Sequence, residues 1–246
     1  MKALRLLRDE GFGARRNIAL TAAMAELHGE GRVSDTLRIY RYPRAVLLGC
    51  NQDAATAIDL SECSARGIEI ARRITGGGAV YMDRGVVTWD LLISRRDAGG
   101  MHALARRVCG ALAAALSRFG VTAQFRPEND VIVGSRKIAG ASGYSDGETL
   151  VYQGSLLYAP DLEAMASVLN LPSVEDHVTS LASEISQGPE EPDVIALVES
   201  AIADALDRVP EQSKFSEGEL NRAADLFDRE YGRDDFVFSG EARVAA

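Results

Sequence analysis

The sequence predicts an α/β fold of the α+β kind, with strands and helices in irregular order. Three observations carry that expectation. Short β-rich runs recur along the chain, Ala-rich stretches with apolar residues at helical spacing interrupt them, and no repeat or low-complexity linker divides the 246 residues. That length suits one large domain, with at most a small appendage. Hydrophobic content of 46% and charged content of 26% match an ordinary globular enzyme.

Leu4–Leu7 opens the chain as a strand. Asn17–Leu27 carries Ile18, Leu20, Ala23, Met24 and Leu27 at helical spacing, and Gly29 and Gly31 end it. Leu37–Tyr42 alternates apolar with polar residues, as a half-buried strand does, and Ala45–Gly49 follows Pro43 as a second strand. Asp59-Leu60-Ser61-Glu62 has capping-box spacing for a short helix closed by Gly67, and Ile68–Ile70 leads on as a strand. Val86–Ser94, with the only tryptophan, Trp89, reads as a central strand. Met101–Phe119 is the longest amphipathic helix candidate and stops at Gly120. Gly134-Ser135 suits a tight hairpin between Val131–Val133 and Lys137–Ile138. Asp146-Gly147 marks a second hairpin returning over Thr149–Tyr158, and Pro160-Asp161 starts a helix. After Gln187-Gly188-Pro189 the pattern turns helical, over Asp193–Arg208 and from the capping box at Ser216 to Tyr231. Gln187–Pro192 is the only candidate boundary, and two helices make a poor independent domain. The expectation is a single domain over 1–246, with 189–246 as its helical C-terminal segment.

The formal net charge of −9 argues against nucleic-acid binding, which needs a positive surface. No window approaches the roughly 18 apolar residues of a membrane span. Charges interrupt the first eight residues, so they make no signal peptide. Cys50, Cys63 and Cys109 have no metal-type spacing and read as reduced thiols, predicting a cytoplasmic protein. His28, His102 and His177 form no catalytic constellation.

Two segments carry the chemistry. Arg72-Arg73-Ile74-Thr75 runs into Gly76-Gly77-Gly78, then Ala79-Val80-Tyr81. Glycines without Cβ let a ligand approach and let backbone N–H groups face an anion. A bare glycine triplet marks a tight turn as readily; the two arginines tilt the reading toward a ligand. No Lys-Ser or Lys-Thr follows, so this is no P-loop. The second segment runs from Asn129-Asp130 to Gly140, with Lys137 between Arg136 and Ile138. A lysine on the inner face of a strand needs an anion to pair with, although alone it reads more readily as a surface residue. Asn129-Asp130 offers two oxygens to a hard cation, or a turn before a strand.

These two segments, with Tyr152-Gln153-Gly154-Ser155-Leu156-Leu157, Val178-Thr179-Ser180-Leu181 and Glu219–Tyr231, resemble the lipoate–protein ligase family in the same order. The resemblance implies a mixed sheet flanked by helices, as in biotin protein ligases and class II aminoacyl-tRNA synthetases. It implies lipoate activation by Mg-ATP to lipoyl-AMP, then transfer to a lysine of an acceptor protein, a lipoyl domain or H-protein-like carrier. Lys137 would be catalytic, contacting the acyl carbonyl and the α-phosphate. Arg73, Gly76, Gly77, Gly78 and Gly140 would line the lipoyl-adenylate site. Ala79, Val80, Tyr81, Met82 and Asn129 would lie along ATP, and Asp130 would hold Mg2+. Inward residues of Val86–Ile93 would wall the acyl tunnel.

Met82 and Gln153 stand where members of the family usually carry histidine. The small C-terminal accessory domain of some members is expected from a separate subunit. Octanoyl or lipoyl transfer through a cysteine is the alternative within the superfamily, although Val121–Asn129 has no cysteine. A non-catalytic lipoyl-binding paralogue is the third reading.

Overall fold

The computed structural model describes residues 2–186 and 188–239. Gln187, the first residue of the expected boundary, and 240–246, the end of the expected C-terminal segment, lie outside them. Eleven strands are seen among the described residues: β1 (Lys2–Arg8), β2 (Thr36–Tyr40), β3 (Ala45–Leu48), β4 (Glu69–Arg72), β5 (Val80–Met82), β6 (Val86–Ser94), β7 (Gln124–Arg126), β8 (Asp130–Val133), β9 (Arg136–Asp146), β10 (Thr149–Leu157) and β11 (Arg208–Gln212). Eight form one mixed sheet in the order β11-β1-β2-β6-β10-β9-β8-β7, and β4-β3-β5 form a second, smaller sheet.

Alternation along the strands sorts side chains to opposite faces. Leu7, Tyr40, Leu92 and Val151 pack with the helix Ala14–Gly29 and the small sheet. Leu6, Ile39, Trp89, Leu91 and Tyr152 face the helices Met101–Ala115 and Glu191–Leu206. Flanked by helices on both faces, the central strands have no solvated side. This corrects the half-buried reading of Leu37–Tyr42: all five residues of β2 are buried. Arg38 is tolerated there because Asp9 accepts from it at 2.8 and 3.0 Å and Asn17 Oδ1 at 2.8 Å.

Both expected hairpins are present, with Val133 opposite Arg136 and Asp146 opposite Thr149. Gly134 and Gly147 take the positive φ that such turns demand. The Ser216 capping box is complete, and Asp59 and Asp161 cap their helices. The helix expected over Met101–Phe119 ends as a 3-10 turn at Leu116–Phe119. Beyond Pro189 the chain is not wholly helical. β11 pairs in parallel with β1, so the C-terminal segment completes the edge of the main sheet. Pro210 sits within it, as an edge strand allows. No helix among the described residues is long and apolar enough to cross a membrane.

Candidate active site

The register of β8 against β9 shifts by one residue between Val131 and Ile132, leaving Ile138 as an extra residue. Residues three apart in a regular strand point to opposite faces. A bulge supplies the missing phase, and the Lys137 side chain folds over Gly140. Its amine reaches Asp130 Oδ1 at 2.8 Å. Asp130 Oδ2 accepts from Arg126 at 2.7 Å. Burial pushes the Asp130 carboxyl up, but these two cations outweigh burial and hold it below the usual aspartate value. The Lys137 carbonyl accepts from Thr179 N at 2.9 Å and bridges Val178, which ties the later Val178–Leu181 motif to the lysine strand.

Across from this hairpin, Arg73 shapes the glycine bend. Its Nη2 donates to the carbonyls of Gly76 and Gly78 at 2.7 and 2.8 Å, and Nη1 donates to Leu47 O at 2.8 Å. Burial pushes this guanidinium down to about 10, so it stays charged at neutral pH. Of the three glycines, Gly77 alone has positive φ. Its carbonyl lies where a Cβ on Gly49 would stand, at 2.0 Å, so the close packing of two backbones demands glycine at 49. The expectation of an arginine pair facing an anion is corrected here. Arg72 points away from the bend, donating to Gly49 O, Gln52 O and Val237 O.

Bend and hairpin share one cavity of about 310 Å³. Of the residues singled out from sequence, Arg73, Gly77, Gly78, Ala79, Val80, Tyr81, Met82, Lys137 and Gly140 line it. Gly76, Asn129 and Asp130 are not among its lining residues. Leu47, Leu157, Met165, Leu169, Leu171 and Val178 supply an apolar wall that the sequence reading missed. These residues are scattered along the chain and look like ordinary core. The strand Val86–Ile93, expected to wall a tunnel, contributes Thr88 alone to the lining. Trp89 turns to the other face and packs against Gly154, where a Cβ would come within 2.0 Å of its ring.

Gln153 sits in a directed hydrogen-bond chain. Asp90 is fully buried near Arg38 and accepts from Gln153 Nε2 at 2.8 Å. Gln153 Oε1 accepts from Thr75 Oγ1 at 3.1 Å, and Thr75 in turn accepts from Arg73 Nε and Ser142 Oγ. Burial raises the Asp90 carboxyl, against the lowering by Arg38, Thr21, Gln153 and Tyr40. Both polar ends of Gln153 are thereby committed to the protein, and the chain braces Arg73 from behind.

The oxygens expected from Asn129-Asp130 each already accept one hydrogen bond, Asn129 Oδ1 from Tyr152 OH at 3.3 Å and the two Asp130 oxygens from Arg126 and Lys137. Among the described residues no three His, Cys, Asp or Glu side chains cluster as a ready metal site. Cys109 is buried on its helix, 3.2 Å from Tyr152 OH, and burial pushes its thiol up to about 11. His28 bonds Thr149 and Asp35, away from the cavity.

The chain is similar to known proteins in sequence and fold. The lipoate-protein ligase A subunit 1 of Thermoplasma acidophilum is 26% identical over 220 residues, covering 81% of this chain and 83% of that protein. The octanoyltransferase LipM of Kyrpidia tusciae is 29% identical, over 74% of this chain and 79% of its own length. A crystal structure of lipoate-protein ligase A bound with ATP superposes with a TM-score of 0.86 at 25% identity, covering 98% of this chain and 100% of that one. The family model described as lipoyl protein ligase A/B catalytic domain matches residues 13–203. With that match spanning both the glycine bend and the lysine hairpin, the chain belongs to the lipoyl protein ligase A/B catalytic domain family.

Proposed function

We propose that this chain activates lipoate with ATP and transfers the lipoyl group to a lysine of an acceptor protein, a lipoyl domain or H-protein-like carrier, in the cytoplasm. The observation that carries the reading is the Lys137 amine, bent over Gly140 and opening onto the same cavity as the Gly77–Gly78 bend. An acid carboxylate oxygen attacks the α-phosphorus, and the bond to pyrophosphate breaks. The acceptor amine nitrogen then attacks the acyl carbonyl, and AMP leaves with the electrons of the acyl–oxygen bond. Lys137 is the group that touches both the acyl carbonyl and the α-phosphate, where negative charge builds in each step.

Arg73 and Gly76–Gly78 hold the adenylate, while Ala79–Met82 and the Asn129 amide run along the nucleotide. Tyr152 orients the Asn129 amide through its Oδ1, and the amino group donates to a phosphate oxygen. Asp130 keeps lone pairs on both oxygens, and one carboxylate fits a magnesium ion carried in by phosphates. Such an ion would neutralise charge on the departing pyrophosphate. The pairing of β11 with β1 supports residues 1–246 working as one catalytic unit. The name of the Thermoplasma relative, a subunit 1, supports a separate accessory subunit.

Octanoyl or lipoyl transfer between carrier proteins is the second reading, favoured by the LipM relative. The buried Cys109, with its thiol raised to about 11, weighs against a thioester there. Incubation with ATP, magnesium and lipoate decides, read as lipoyl-AMP and pyrophosphate by mass spectrometry. Activation predicts product that Lys137→Ala abolishes, with the accessory subunit added if the chain alone is silent. Transfer predicts product only from an acyl-carrier donor without ATP. A binding paralogue gives neither.

A further inference from the structure

Among the polar side chains of the cavity wall, Gln153 is satisfied at both ends. The Tyr42 hydroxyl pairs with Tyr40 at 3.0 Å. Two hydroxyls of the wall differ, that of Tyr81, which neighbours the Arg44 guanidinium, and that of Thr88 on the central strand. Thr88 is 4% exposed, and its Oγ1 has no hydrogen-bond partner among the described residues. It stands on β6 between Tyr40 of β2 and Ser155 of β10. Apolar residues lining the same cavity include Leu47, Met82, Leu157, Met165 and Val178. A buried hydroxyl with no acceptor carries the desolvation penalty of a polar group, and natural cores leave few such groups without a reason.

We propose that Thr88 is a specificity-determining residue whose hydroxyl donates to a sulfur of the acyl tail, selecting a dithiolane-bearing acid over an all-carbon one. The inference rests on the acyl-acid reading of the cavity given above. An all-carbon tail packed on Thr88 seals the hydroxyl away with nothing to accept its proton. A thioether-like sulfur is a weak acceptor, and it recovers part of that penalty.

The test compares lipoate with 5-cyclopentylpentanoate, an acid of nearly the same shape in which both sulfurs are carbon. Isothermal titration calorimetry gives the affinity of each for the full chain and for two variants. Thr88→Val, equal in shape but without the hydroxyl, is expected to tighten the cyclopentyl acid and leave lipoate unchanged or weaker. The preference for lipoate then shrinks by roughly three- to tenfold, the span of one modest hydrogen bond. Thr88→Ser keeps the wild-type preference. Should Thr88→Val not fold, Thr88→Ala makes the same comparison. A preference that Thr88→Val leaves intact overturns the proposal, as does an equal loss for both acids. Failure of the wild-type chain to bind either acid removes the acyl-cavity reading itself, and the proposal with it.

Discussion

The Lys137 side chain occupies the space that a Cβ on Gly140 would need, with Cε at 2.1 Å and Nζ at 2.3 Å from that position. Glycine at 140 is what allows the amine to turn back to Asp130. Gly140→Ala is therefore expected to evict the amine without unfolding the strand, since a flexible side-chain end can yield. On the proposed reading, adenylate formation should fall at least about tenfold, the scale of loss for a misplaced catalytic group, while thermal stability stays near wild type. Pyrophosphate release and a melting curve read the two effects. Full activity in the variant would show that the position of this amine does not matter.

Asp130 ties the same hairpin to pH. Burial pushes its carboxyl up and the hydrogen bonds from Arg126 and Lys137 push it down by more, so the folded value lies below the unfolded one of about 3.9. A depressed carboxylate stabilises the fold above its unfolded pKa and loses that contribution as pH falls through the folded value. The stability difference between wild type and Asp130→Asn should be level between about pH 5 and 8, then shrink below about pH 4. Urea melts across that range measure it. A difference that grows on acidification contradicts the ion-pair account.

The fold was largely legible because its hairpins carry their own local chemistry. Gly134 and Gly147 announced two turns, and Ser216 with Glu219 announced a helix start. β11 escaped notice because its five residues include Pro210 and exposed side chains, and only pairing with β1 makes them a strand. The burial of Arg38 was equally hidden, since a sequence does not say which strand ends up central. At the site, the glycine bend and the lysine stood out as unusual residues in unusual runs. Their geometry did not, because a bulge at Ile138 and a hydrogen-bond chain from Asp90 decide where Lys137 and Arg73 point. The apolar wall from Met165, Leu169 and Val178 looks like any core until the cavity is seen.

Arg72 couples the glycine bend to the end of the described chain. It is 2% exposed and joins two backbone segments, donating to Gly49 O at 3.0 Å and Gln52 O at 2.6 Å on one and to Val237 O at 2.7 Å on the other. Gly49 in turn packs on the Gly77 carbonyl, so Arg72 holds the shelf on which the bend rests. Lysine keeps the charge but lacks the fork that serves several carbonyls at once. Arg72→Lys should therefore cost about 2–4 kcal/mol, through buried carbonyls left unpaired. For a chain of this size the melting temperature falls by roughly 5–10 °C. On the proposed reading, the KM for ATP should rise while the turnover of saturated enzyme changes less, because the displaced shelf moves the bend and leaves the Lys137 hairpin in place. A variant that melts like wild type would mean the three carbonyls find other donors, and the coupling through Gly49 would fall with it.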